Sequence, residues 1–257
     1  MASLVGSRVE RKEDKKFLTG RGKYTADVNF VHQTYAYFVR SPHARAQIKK
    51  VDISKALKAS GVVSVLTGAD IANDKIGGLI AGWRIKSEDG SDMKVPPHPP
   101  LANETVNYVG DHVAVVIAES LDEARAAADL VKVDYKVLKA VVSTKDTMNS
   151  DQIYKDIPKN MCFDWLLGDR AKVKEAFENA DKIIKIDIVN NRLIPNAMEP
   201  RAANADYNPS TEEITLYTTS QNPHLARIII SAFNGVAPEN KLRVIAPDVG
   251  GGFGSKI

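Results

Sequence analysis

Cysteine is almost missing from the 257-residue chain: Cys162 stands alone. A single thiol excludes an internal disulfide, and with five scattered histidines it makes no zinc-ligand spacing. Long apolar runs are missing too, since the longest, Val113 to Ala118, falls far short of the roughly 18 residues a membrane span needs. A globular chain with no membrane span is expected. Arg8, Glu10, Arg11 and Lys12 arrive before any apolar leader could form after Met1, so a cytoplasmic location is expected. Strong charge of one sign is also lacking: the net charge of +3 is too small to argue for nucleic acid, and no aromatics interleave with the cations as base-stacking surfaces require. What charge there is gathers early, with eleven Lys/Arg against four Asp/Glu in residues 1–50. That bias reads either as a docking arm for an acidic partner or as an ordinary solvated segment, the commoner outcome.

Patterning along the chain is mixed, which places it in the α+β class. Tyr35 to Arg40 reads as a strand closed by Ser41-Pro42, and a short helix over Ser54 to Ala59 stops at Gly61 before the buried strand Val62 to Leu66. Residues 70–100 are irregular, because Pro96, Pro97, Pro99 and Pro100 around His98 fix φ and remove donors. Val113 to Ala118 is an apolar strand, Ser120 to Glu123 a capping box, and the alanines beyond it a helix to about Leu130. Val131, Val133 and Tyr135 then alternate with charges as a half-buried strand. A connecting stretch over 141–168 puts the domain boundary near 150, giving domains 1–150 and 151–257. Val173, Ala176, Phe177 and Ala180 form one helical stripe; Ile184, Ile186 and Ile188 alternate as a strand. Ile214 to Thr218 and Leu242 to Ala246 read as strands around a helix marked by Leu225, Ile228, Ile229 and Ala232 and closed by Asn234-Gly235.

Two stretches can carry chemistry. Gly250-Gly251-Gly252-Phe253-Gly254-Ser255 follows a strand, and consecutive glycines allow positive φ and let bare amides approach an anion or cofactor. Neither common nucleotide fingerprint is met, because each needs glycine where Ser255 stands. Gln221, in Ser220-Gln221-Asn222-Pro223, sits between a strand and a helix, where α and β folds place ligand contacts; its amide can hold an oxo or hydroxo group without adding charge, or simply cap the helix. His43 and His98 lie in proline-flanked turns, Cys162 reads as an ordinary thiol, and Trp83 and Trp165 read as packing residues.

These stretches resemble a known family. Met198-Glu199-Pro200-Arg201, Thr219 to His224 and Ala246 to Lys256 are similar to the molybdenum-binding large subunit of the xanthine dehydrogenase, aldehyde oxidase and aerobic carbon monoxide dehydrogenase family. Thr19 to Asp27, Arg40 to Ala44, Gly61 to Asp70 and Tyr108 to Ala114 resemble that family's α/β hammerhead domain. The resemblance implies a hammerhead domain over 1–150 and the incomplete first part of a molybdopterin-binding domain over 151–257. It implies a hydroxylase in which molybdenum on a pterin, in its cytosine dinucleotide form, oxidises an electron-poor carbon with oxygen from water. Electrons would leave through 2Fe-2S clusters and FAD in partner iron–sulfur and flavin subunits.

By the same resemblance Gln221 would hydrogen-bond a molybdenum oxo ligand, and Gly251, Gly252, Phe253 and Gly254 would lie over metal and pterin. No residue here would ligate the metal directly, and the family's general base lies beyond this chain, so Glu199 reads as a buried structural carboxylate. Ile257 stands where purine-oxidising members carry glutamate, which argues against a purine. The expected substrate is an aldehyde or similar small carbon centre, with the remaining large-subunit portion needed as a partner. Three alternatives stay open: a carbon monoxide dehydrogenase large-subunit portion, a non-catalytic assembly module, and a truncated gene product.

Overall fold

The computed structural model describes residues 5–257. They form two compact units, one of residues 34–193 and one combining the residues up to Gln33 with those from Ile194 onward. These compact units part at residues 193 and 194, and the amino-terminal segment groups with the carboxy-terminal one. Helix α1 (Asp14–Leu18) lies in that segment.

In the 34–193 unit, β1 (Tyr35–Arg40), β2 (Ala46–Asp52), β3 (Val62–Thr67), β4 (Thr105–Val106), β5 (His112–Ala118) and β6 (Lys132–Val137) make two antiparallel sheets, ordered β1-β5-β3 and β4-β2-β6. The apolar run of β5 is central because both of its faces are covered. Val116, opposite Tyr37 and Val65, packs with Ala56, Val65, Ala127 and Ala128, while Val113 packs with Ala46, Ala102 and Val106. Helix α2 (Gly68–Asn73) starts where Asp70 accepts from the Thr67 N–H and hydroxyl, each at 2.7 Å. Helix α3 (Leu121–Ala128) approaches the sheet through Ala124, Ala127 and Ala128, whose small side chains allow close contact. Its start carries half of the expected box: Ser120 Oγ accepts from the Glu123 N–H, but the Glu123 carboxylate takes the Ser120 hydroxyl instead of its backbone N–H.

Not every pattern is realised as expected. Ser54 to Ala59 yields only a 3₁₀ turn, Ala56–Lys58, before Gly61 at φ +71°. Helix α4 (Arg170–Glu178) forms, capped by Asp169 Oδ1 accepting from the Ala171 and Lys172 N–H groups, yet Val173 and Phe177 on its apolar stripe are exposed. Ile184, Ile186 and Ile188 form no strand and are 71–77% exposed. A period-two stretch becomes a strand only when another strand takes its backbone hydrogen bonds, and no strand pairs with it among the described residues. Trp83 and Trp165 are exposed as well and do not pack as expected. Irregular residues 76–100 are tied instead by backbone, with Glu88 N–H to Asp164 O at 2.8 Å and Lys94 N–H to Cys162 O at 2.9 Å, and by Arg170 on Glu88 at 2.6 Å.

The other unit is built on β7 (Ala203–Asn208), β8 (Glu213–Thr218) and β9 (Leu242–Ile245), in the order β7-β8-β9. β7 runs antiparallel to β8, and β9 runs parallel to it. The parallel pair is joined by helix α5 (Pro223–Ile228), which widens into a π turn over Ile229–Phe233 as Asn234 N–H reaches Ile229 O at 2.9 Å. Asn204 Nδ2 on β7 donates to Val28 O and Gln33 Oε1, tying the amino-terminal segment to this sheet.

Because Val116 is fully buried in a closed cluster, Val116→Ala should lower unfolding free energy by about 2 kcal/mol. Val173→Ala, on an exposed face, should shift it by no more than about 0.5 kcal/mol. Urea denaturation of the two variants measures both.

Candidate cofactor-binding site

Strand directions bring three distant segments to one edge. Parallel pairing puts the carboxyl ends of β8 and β9 side by side, so the turn at Thr219–Asn222 and the glycine turn from Ala246 onward leave the sheet together. Since β7 is antiparallel, with Ala203 opposite Thr218, its start lies at the same end and carries Glu199 and Arg201 there. The carboxyl ends of parallel strands are where open α and β sheets hold ligands.

At this edge the glycine turn is held by side chains. Gln221 Oε1 accepts from the Gly254 N–H at 2.9 Å and the Lys256 N–H at 3.3 Å, while the Gln221 N–H donates to Lys256 O at 2.7 Å. Gln221 does not cap α5, the bland alternative for it. With its oxygen engaged by two loop amides, its exposed amide retains the nitrogen, which can only donate. Glu199 Oε2 accepts from the Gly250 N–H at 2.6 Å, and Arg201 donates to Ser255 O through Nε at 3.1 Å and Nη2 at 2.7 Å. Ser255 turns back on Gly252 O with its N–H and its hydroxyl, both at 2.9 Å.

The turn is glycine-rich for steric reasons. Gly251 and Gly254 have φ of +100° and +82°, and Phe253, mostly exposed, takes φ +52° between them. A Cβ on Gly252 would stand 2.5 Å from the Gln221 side chain, and one on Gly250 2.5 Å from Glu199 Cβ. Among the described residues, the N–H groups of Gly251, Gly252 and Phe253 enter no backbone hydrogen bond of the turn. Successive donors of this kind suit oxygen atoms of an anion or a cofactor. Of the expected residues, Gln221, Gly252 and Gly254 thus come together directly, and Gly251 and Phe253 shape the turn between them. No group of three or more His, Cys, Asp or Glu among the described residues could hold a metal ion.

Two charged residues that hold the turn escaped the sequence reading. Lys256 is buried and donates through Nζ to Glu199 O at 2.7 Å. Asp248 takes Lys16 Nζ at 2.6 Å and the Lys23 N–H at 2.7 Å, and its own N–H donates to Lys23 O. So at least one lysine of the basic early segment is engaged within the chain. The only signal for these roles was a charged residue at either flank of the glycine run.

The Lys16 ammonium first, and the Lys23 N–H second, hold the Asp248 carboxyl below the ordinary carboxylate range. A folded-state pKa below the unfolded one gives stability that is present above about pH 4 and is lost as pH falls through the lowered value. Asp248→Asn should therefore flatten the acid side of the stability curve, read as urea midpoints between pH 6 and 3. Gly252→Ala should displace Gln221 and cost about 1–3 kcal/mol in the same assay, with faster amide exchange confined to the glycine turn.

A mixed α and β chain with a bare-amide turn beside a fixed glutamine is an arrangement able to hold a cofactor. Residues 19–139 match the aldehyde oxidase and xanthine dehydrogenase a/b hammerhead domain, and residues 153–257 match the molybdopterin cofactor-binding domain. The chain is 36% identical over 260 residues to the nicotine 6-hydroxylase large subunit of Paenarthrobacter nicotinovorans, covering 99% of this chain and 30% of that protein. It is 34% identical to the carbon monoxide dehydrogenase large chain of Afipia carboxidovorans, covering 98% of this chain and 32% of that one. Among solved structures, quinoline 2-oxidoreductase from Pseudomonas putida 86 superposes with a TM-score of 0.84 at 32% identity, covering 98% of this chain and 31% of that chain. The reconstituted carbon monoxide dehydrogenase of Oligotropha carboxidovorans gives 0.84 at 33% identity, over 98% and 32% of the two chains. The chain belongs to the molybdenum hydroxylase large subunits, with a hammerhead domain followed by residues of the molybdopterin-binding domain. It spans about a third of the length of these two curated relatives.

Proposed function

We propose that this chain is the part of a molybdenum-dependent hydroxylase that holds one side of the cofactor, and that Gln221 and the turn Gly251-Gly252-Phe253-Gly254 are the residues that do so. The observation that carries the reading is the fixed orientation of Gln221: its oxygen is taken by the Gly254 and Lys256 amides, which leaves a neutral donor at the edge where, among the described residues, three further amides of the turn enter no backbone hydrogen bond. A preoriented neutral donor stabilises charge on an oxygen ligand without reorganising and without adding charge of its own. When bound, the molybdenum–pterin group would supply two-electron oxidation of a carbon centre with oxygen from water. The chain's own part is to orient that group and keep its oxygen ligands hydrogen-bonded.

The substrate follows from the same reading as an aldehyde or similar small carbon centre. Ile257, aliphatic where purine-oxidising members carry glutamate, supports a non-purine substrate. Carbon monoxide is the second reading, favoured by the likeness to carbon monoxide dehydrogenase large chains. Activity requires the remaining large-subunit portion, an iron–sulfur subunit with 2Fe-2S clusters and a flavin subunit with FAD, and the pterin is taken as the cytosine dinucleotide form. Alone the chain is inactive. The division between the two domain types lies near residue 150, between the two matched stretches.

Gln221→Ala in the reconstituted complex should lower turnover or molybdenum content about 10- to 100-fold, the range for removing an outer hydrogen bond at a metal centre. Mass spectrometry for molybdenum and dye-coupled assays with an aldehyde, carbon monoxide and a nitrogen heteroarene read this out. A variant equal to wild type in both would sink the assignment, as would stoichiometric molybdenum and turnover in the lone chain.

A further inference from the structure

We infer that Glu199 and Lys256 are a positioning pair that closes the glycine turn at both ends and so sets the direction of its amides. The inference rests on the reading of that turn as a cofactor-holding element. Gly250 opens the turn and Lys256 ends it, and both are fastened to the one residue Glu199. Its Oε2 accepts from the Gly250 N–H at 2.6 Å and from Lys256 Nζ at 3.3 Å, its carbonyl accepts from Lys256 Nζ at 2.7 Å, and its N–H donates to Gly250 O at 3.3 Å. The side chains are 12% and 2% exposed. Between the two fastenings the chain must hold three positive φ values, at Gly251, Phe253 and Gly254, which no regular ladder maintains.

Stability is a poor reason for such a pair. A buried ion pair gives back in attraction roughly what it loses in desolvation, and apolar replacements of similar size are often as stable. Here the carboxylate is also only half satisfied, because Oε1 is buried with no hydrogen-bond partner among the described residues while Oε2 carries both bonds. Its placement at the two ends of the turn, where each bond fixes a backbone position, is what a geometric role requires. The pair is also neutral as a whole, so it holds the turn without placing a net charge behind amides that would face oxygen ligands. Arg201, on Ser255 O, is a third fastening and remains in every variant below.

The pair is tested with Lys256→Met, Glu199→Gln and the double variant, each in the full chain and in the complex reconstituted with the remaining large-subunit portion. Amide exchange of the peptide covering residues 250–257 should quicken about ten-fold or more in each variant while exchange over β8 and β9 stays as in wild type. Molybdenum content of the complex should fall in parallel. The double variant, which buries no unpaired charge, should recover the melting temperature lost by Lys256→Met yet keep the loosened turn, so that a folding defect in the single variant does not decide the outcome. Unchanged exchange at residues 250–257 overturns the pair, and so does acceleration spread equally over β8 and β9, since that marks general packing. A loosened turn with full molybdenum content overturns instead the assignment of the turn to the cofactor.

Discussion

Backbone hydrogen bonding along one parallel seam, Glu213–Thr218 beside Leu242–Ile245, sets where every group of the candidate site stands. A parallel pair needs a crossover, supplied here by α5 and its π turn, and two parallel strands end on the same side. Gln221 leaves the first strand and the glycine turn leaves the second within hydrogen-bond reach of each other. The antiparallel strand at Ala203–Asn208 begins where its neighbour ends, which adds Glu199 and Arg201. Reversing either relationship would carry one of these groups to the opposite end of the sheet, about 15–20 Å away by strand rise.

The site then works by fixing backbone. Its anchors are an amide oxygen, a carboxylate and a guanidinium, each spent on main-chain groups of the turn rather than directed outward. What remains available are neutral donors, the Gln221 amide nitrogen and the turn's own N–H groups. Much of the charge at the site is paired internally, Glu199 with Lys256 and Asp248 with Lys16, while the Arg201 guanidinium on the Ser255 carbonyl leaves one positive charge beside the turn. The match to a molybdopterin cofactor-binding domain agrees with such a surface.

The 34–193 unit has a different economy. One strand, His112–Ala118, is buried on both faces and joins two apolar clusters, so the hammerhead core closes around it. Helix α4 and the isoleucine stretch behind it keep apolar faces that nothing among the described residues covers. The isoleucine stretch, with no strand beside it among the described residues, stays irregular despite its alternation, whereas α4 forms as a helix because its hydrogen bonds are internal.

Local signals were therefore legible in the amino-acid order to the extent that their cause is local. The apolar run of β5, the alternation of Val133 and Tyr135 with charges, the left-handed stop at Gly61 and the Ser120 cap all follow from side-chain chemistry within a few residues. Gln221 and the glycine run were visible as motifs, and their order along the chain was enough to suggest the family. The sequence by itself determined which residues could serve, because bare amides require glycine and a neutral donor requires an amide side chain. Only the tertiary structure decided that Gln221 binds the turn through its oxygen, that Lys256 and Glu199 close it, and that Ile184, Ile186 and Ile188 stay unpaired. Those outcomes depend on which strand runs beside which, and in which direction, and such pairings join residues as far apart in the chain as Leu216 and Val244, which no local pattern encodes.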